Sequence, residues 1–201
     1  MSLIIVGGAP MVEVFDDFNR ADGGLGANYV TLVSAPQLVG GKAQATAAGV
    51  NTSRVCDARH VTPLSGDAQE VVCTVANPSG TYSNVLGSGP FLRCSASGDR
   101  VAVGITSDKV AIVTYSGGTW TDRGSVTSST PSTVRMTAIG NVYTVYVNGS
   151  ATPAVTWTDT GGVIGIGDTN RFWGVYASSQ TNFAGSTTYG YGIDSITARD
   201  L

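Results

Sequence analysis

Thr133-Val-Arg-Met-Thr-Ala-Ile-Gly-Asn-Val-Tyr-Thr-Val-Tyr-Val-Asn-Gly149 reads as two β-strands folded back on each other. β-Branched and aromatic side chains fill both arms and suit a pleated, half-buried surface. Gly140-Asn141 sits between the arms and Asn148-Gly149 follows at once; both residue types tolerate the positive φ of tight hairpin turns. Arg100-Val-Ala-Val-Gly-Ile-Thr106 and Lys109-Val-Ala-Ile-Val-Thr-Tyr115 repeat the pattern about Ser107-Asp108. Period-two alternation in both pairs predicts one face packed inward and the other turned to solvent or a ligand.

Working outward, further strands are expected at residues 12–18, 28–33, 42–47, 54–60, 69–76, 91–96, 163–166, 173–177 and 191–199. The composition agrees. The chain has 27 glycines, 25 valines and 24 threonines but only eight leucines, four glutamines, two lysines and two glutamates. Helices are thereby starved of their best formers. About a dozen short strands with turns between them define an all-β sandwich or barrel. Two hundred and one residues, 42% of them apolar, suffice for one domain with a sizeable core. Ser125 to Ser132 is expected to be a loop. Residues 1–11 stand apart as an amino-terminal arm, with the domain proper spanning 12–201. Leu3, Ile4, Ile5 and Val6 are too apolar to stay in water, so they should add to a partner's sheet or form an edge strand of this one.

Charge and chemistry exclude several classes. Charged residues make up 12% of the chain and the net charge is −3, so no nucleic-acid footprint is expected. No apolar run approaches the roughly 20 residues of a membrane helix. No cation precedes Arg20, so no secretion signal is expected and synthesis is read as cytoplasmic. Cys56, Cys73 and Cys94 read as three buried thiols, and with the lone His60 they lack zinc-ligand spacing. Glu13 and Glu70 are the only glutamates, and neither lies in the paired-carboxylate spacing of a glycosidase. Asp16 and Asp17 should point to opposite faces. The protein is therefore expected not to be an enzyme.

Asp16-Asp-Phe-Asn-Arg-Ala-Asp-Gly-Gly-Leu-Gly-Ala-Asn-Tyr29 resembles the opening of a concanavalin A-like, laminin-G-type jelly roll. Arg135 to Gly149 resembles that family's late hairpin, Gly162 to Gly167 the strand after it, and Tyr191 to Arg199 the final strand, which returns beside the first. The resemblance implies a two-sheet antiparallel jelly-roll sandwich. The Asp-Asp-Phe-Asn-Arg-Ala-Asp motif on a lysine-poor, Gly/Thr/Ser-rich body is similar to minor tail proteins of actinobacterial phages. That second resemblance implies a virion surface protein at the tail or capsid exterior. Its partners would be other virion proteins, host cell-wall glycan and, by analogy with tail fibres, further copies in a trimer. A head-decoration protein and a calcium-dependent lectin are the alternatives.

Two candidate sites follow. Many members of the resembled superfamily bind calcium at a sandwich edge, and hard oxygen ligands come from loop Asp and Asn. Asp168 and Asn170 lie in one oxygen-rich loop, and Asp194 of the final strand is expected near Asp16 of the first. No other cofactor is implied. Flat rings bind the apolar faces of sugars, with Asp and Arg for the hydroxyls. Tyr115, Trp120, Asp122 and Arg123 surround the Gly117-Gly118 turn, and Arg171 and Trp173 form a second group.

Overall fold

The computed structural model describes residues 11–128 and 131–201, and the described residues form eighteen strands. In chain order they are β1 (Glu13–Asp16), β2 (Gly23–Gly24), β3 (Tyr29–Thr31), β4 (Gln37–Leu38), β5 (Ala43–Gln44) and β6 (Thr52–His60). Then follow β7 (Gln69–Ala76), β8 (Thr81–Tyr82), β9 (Gly89–Cys94), β10 (Arg100–Ile105), β11 (Lys109–Ser116) and β12 (Thr119–Thr127). The last six are β13 (Thr133–Ile139), β14 (Val142–Val147), β15 (Val155–Thr158), β16 (Phe172–Thr181), β17 (Thr187–Tyr189) and β18 (Gly192–Asp200). One 3-10 turn, Asp168–Asn170, precedes β16.

These strands build two sheets. The first runs β15-β14-β13-β7-β18-β5-β4-β2, with β1 also on β18. The second runs β12-β11-β10-β9-β16-β17-β8, with β6 on β16 and β3 on β6. The ladders are antiparallel apart from β8 with β17. Alternation places Val101, Val103, Ile105, Val110 and Ile112 on the inner face of the second sheet. They pack against Val71, Cys73, Val134, Met136, Tyr143 and Val145 of the first. Each large side chain so buried stabilises the fold by roughly 1.5–3 kcal/mol before entropy. The chain is thus a two-sheet jelly-roll sandwich, and its final strand does return beside the first, Glu13 opposite Arg199.

Both hairpins form as read, with Ile139 opposite Val142 and Ile105 opposite Val110. Two readings need correction. Ser125 to Ser132 is not simply a loop, because β12 runs to Thr127, paired with Lys109. As the outer strand of its sheet β12 can be polar, which removes the apolar signal by which strands are read. Residues 163–166 form no strand. The Asp159 carboxylate accepts the Val163 and Ile164 N–H groups at 2.9 Å each, so this backbone is satisfied without a ladder. Cys56, Cys73 and Cys94 are free and buried, as expected. Leu3, Ile4, Ile5 and Val6 lie outside the described residues.

His60 ends β6 facing inward, buried and stacked on Trp173 with ring centroids 4.5 Å apart. It is a core residue, packed by its ring. Its Nδ1 accepts the Thr62 N–H at 3.1 Å, and burial holds the imidazole below its ordinary 6.5. The folded state therefore favours the neutral ring. The resulting stability is complete above pH 6.5 and is lost as the pH falls below 6.5 toward the folded value. Between pH 7 and 5 the Tm of the wild type should fall more steeply than that of His60→Phe. Parallel Tm profiles would show that His60 does not titrate on unfolding.

Candidate functional site

The outer face of the second sheet carries a layer of its own. Phe91, Cys94, Ala102 and Tyr176 are buried there, and Leu32, Val55, Val113, Trp120 and Phe172 pack against them. Ala102, Val113, Phe172 and Tyr176 alternate there with the inward-facing Val101, Ile112, Trp173 and Val175 of the same strands. The Gly117-Gly118 pair is not a flexible loop but a two-residue hairpin turn. Its φ values of 57° and 84° belong to the left-handed region, which glycine enters without strain. The turn sets Trp120 directly opposite Tyr115.

Three rings follow one another across this face. Tyr115 and Trp120 have centroids 5.1 Å apart, as do Trp120 and Tyr176. Trp120 and Tyr115 remain half-exposed, whereas Tyr176 is buried. Tyr176 lies over Gly104, where a Cβ would come within 3.1 Å of its hydroxyl oxygen. Beneath the rings lies Arg100, fully buried. Its guanidinium carbon is 4.4 Å from the Tyr115 centroid, 4.9 Å from Trp120 and 5.1 Å from Phe91. Arg100 forms an ion pair with Asp57, itself buried, and donates to the Gly98 carbonyl at 2.5 Å. Asp57 also accepts the Val33 N–H at 2.8 Å. Burial pushes the Asp57 carboxyl up, and Arg100 and Val33 pull it back. Arg59, two residues along β6, sits 3.9 Å over the Phe172 ring. Burial pushes the nearby Cys94 thiol up to about 12, so this face holds no ready thiolate nucleophile.

Of the residues expected to bind sugar, the structure brings Tyr115, Trp120 and Asp122 to this face, with Asp122 paired to Lys109 at 3.0 Å. Arg123 departs. A bulge opposite Ile112 and Val113 leaves it unpaired, and it turns to the sandwich edge, donating to Thr114 Oγ1 over the Trp157 ring. Arg171 is held elsewhere by Asp67 and Asp168. Trp173 is no surface ring at all, being completely buried. Sequence reading missed Arg100, Asp57, Arg59, Phe91 and Tyr176.

The calcium candidates do not converge. Asp16 is taken by Arg20 at 2.7 Å and by the Phe18 N–H. Asp194 lines a surface dent with Asp17 and Asn19 instead. Asp168 pairs with Arg171, and Asn170 accepts from Thr169. Cations and local hydrogen bonds thus engage Asp16, Asp168 and Asn170. Among the described residues no three His, Cys, Asp or Glu side chains gather as a metal site. Strand register does bring the two glutamates together, which their spacing could not reveal. Both reach Arg199, with Glu70 also bound by Arg135.

The sequence matches no protein-family model and no curated protein. Solved structures do resemble it. The Emp47p carbohydrate recognition domain superimposes with a TM-score of 0.59 at 13% identity, over 94% of each chain. The carbohydrate-binding module CBM66 from Bacillus subtilis gives 0.55 at 9% identity, over 82% of this chain and 95% of that one. The GH43 protein BlXynB from Bacillus licheniformis gives 0.56 at 8% identity, over 93% of this chain but 39% of its own. The class is therefore defined by fold alone: the chain is an all-β, two-sheet antiparallel jelly-roll sandwich that resembles these lectin-like domains.

Proposed function

We propose that this chain is a non-enzymatic, glycan-binding module on the surface of a phage virion, used at the tail to contact host cell-wall polysaccharide. One observation carries the binding half of this reading: the half-exposed Tyr115–Trp120 pair, continued by Tyr176 and braced from below by the Arg100–Asp57 ion pair. Stacked rings offer a flat apolar surface for sugar C–H groups, with polar groups at its margin for hydroxyls. Bracing fixes the rings before the ligand arrives, so less entropy is lost on binding. Two structural neighbours, the Emp47p domain and CBM66, are carbohydrate-recognising by name, which supports the same reading. The virion half rests on the resemblance of Asp16 to Asp22 and the lysine-poor body to phage minor tail proteins.

Trp120→Ala tests the binding half. Retention on host cell-wall polysaccharide should weaken about ten-fold, equivalent to roughly 1.4 kcal/mol. Its Tm should stay within roughly 5 °C of wild type, since the ring is only partly buried. Unchanged retention would remove the ring face as the binding surface. Immunogold labelling of intact virions tests the location. Gold on the tail supports the proposal, gold on the head favours the decoration protein, and unlabelled virions overturn both.

A further inference from the structure

The chain has nine arginines. Six of them are ion-paired: Arg20, Arg93, Arg100, Arg135, Arg171 and Arg199. Arg54 and Arg123 each donate to a threonine hydroxyl. Arg59 differs from all of these. Among the described residues its side chain has neither ion pair nor hydrogen bond; the guanidinium stacks on the Phe172 ring, and its Nε is buried without a partner. A buried donor attached to a charge is costly to leave unmet.

Its position is informative. Alternation along β6 sends Ala58 and His60 inward, so Asp57 and Arg59 share the outer face with the ring layer. The acids of that face are already engaged. Asp57 holds Arg100, Asp122 holds Lys109, and Asp99 accepts the Gly117 N–H. Arg59 is thus a guanidinium on an aromatic platform with no protein carboxylate to answer it. Five inter-strand steps separate β6 from β12. Side chains close most of that span, since Trp120 lies 4.9 Å from the Arg100 guanidinium, which pairs with Asp57 two residues from Arg59, so a short glycan can reach both.

We infer that the glycan taken by this face is acidic, with Arg59 binding a uronic-acid carboxylate while Trp120 and Tyr115 stack on the sugars beside it. The inference rests on the glycan-binding reading above. A guanidinium presents paired N–H donors matching the two oxygens of a carboxylate, and such charge-assisted pairs are about twice as strong as neutral ones. Stacking on Phe172 leaves Arg59 weakly hydrated and ready to exchange water for that anion. The net charge of −3 means that the chain as a whole does not attract polyanions. Preference for an acidic glycan must then come from a local group, and Arg59 is the one available on this face.

The test is calorimetric titration of the full chain with the tetramer of galacturonic acid and with its fully methyl-esterified form, which keeps the sugar and removes the charge. The acid should bind about ten-fold more tightly than the ester, an advantage that fades as salt is raised. Arg59→Gln should abolish that advantage, with the acid losing much more affinity than the ester, and Arg59→Lys should retain part of it. Trp120→Ala should weaken both forms together. Equal affinity of wild type for acid and ester would overturn the acidic assignment while the glycan reading stands. An acid preference that survives Arg59→Gln in a folded variant would also overturn it. If wild type bound neither tetramer and was not retained on host wall polysaccharide, both readings would fall.

Discussion

Trp173→Ala should destabilise the protein by about 3–5 kcal/mol, the range for truncating a large buried aromatic. For a chain of this size that is a Tm loss of roughly 6–20 °C. Trp173 is wholly buried, lies edge-on to Tyr29 at 6.5 Å and donates from Nε1 to the Thr62 carbonyl at 3.1 Å. Alanine would open a cavity and strand that carbonyl. Thermal unfolding of Trp173→Ala and Trp120→Ala side by side makes the comparison decisive. The first should lose stability, and the second should lose sugar. A Trp173→Ala protein melting within 2 or 3 °C of wild type would contradict its place in the core. Equal Tm losses would instead make Trp120 a core residue.

The contrast between those tryptophans shows what the sequence could reveal. Arg171 and Trp173 were read as a surface group because they follow the turn-like, polar stretch Asp168 to Asn170. The strand in fact begins at Phe172, and period-two alternation then sends Phe172 outward and Trp173 inward. Which of the two faces inward is set by the pairing register of β16, which the local sequence does not give. Where apolar alternation was strong, boundaries were legible: β7, β13 and β14 run as read, Gln69–Ala76, Thr133–Ile139 and Val142–Val147. At polar β12 the signal vanished, and at Gly162 to Gly167 an apolar run was mistaken for a strand.

The binding face was legible only where it is local. Tyr115 and Trp120 are five residues apart and joined by a glycine turn, so their pairing could be read. Arg100, Phe91, Tyr176 and Asp57 arrive from four other strands, and nothing in spacing reveals the order β11-β10-β9-β16-β6. A usable signal did exist. Arg100 opens an otherwise apolar strand, and Asp57 and Arg59 alternate with Cys56 and Ala58. Charges at alternate positions of a buried strand need partners across the sheet. For Asp57 and Arg100 the partner is each other; Arg59 is left over.

The Asp57–Arg100 pair carries the second large expected effect. Both side chains are fully buried, so removing one leaves an uncompensated charge beneath the rings. Asp57→Leu and Arg100→Met should each destabilise by about 3–5 kcal/mol. Replacing both at once leaves no buried charge, only an unmet Val33 N–H and Gly98 carbonyl. Those two groups together cost less than the sum of the single variants, at about 1–3 kcal/mol each. The double variant should therefore lose clearly less than the two single variants combined, with a coupling of up to about 3 kcal/mol, the upper end for residues in contact. Denaturant unfolding of the four proteins gives that coupling directly. Strictly additive losses would mean that the pair does not act as a unit. Salt separates it from the surface pair Lys109–Asp122, where both side chains are about half exposed. Raising salt to 1 M shortens the screening length to about 3 Å and should erase the exposed pair's contribution. The coupling measured between Asp57 and Arg100 should persist, because no ions reach a guanidinium enclosed by Phe91, Tyr115 and Trp120.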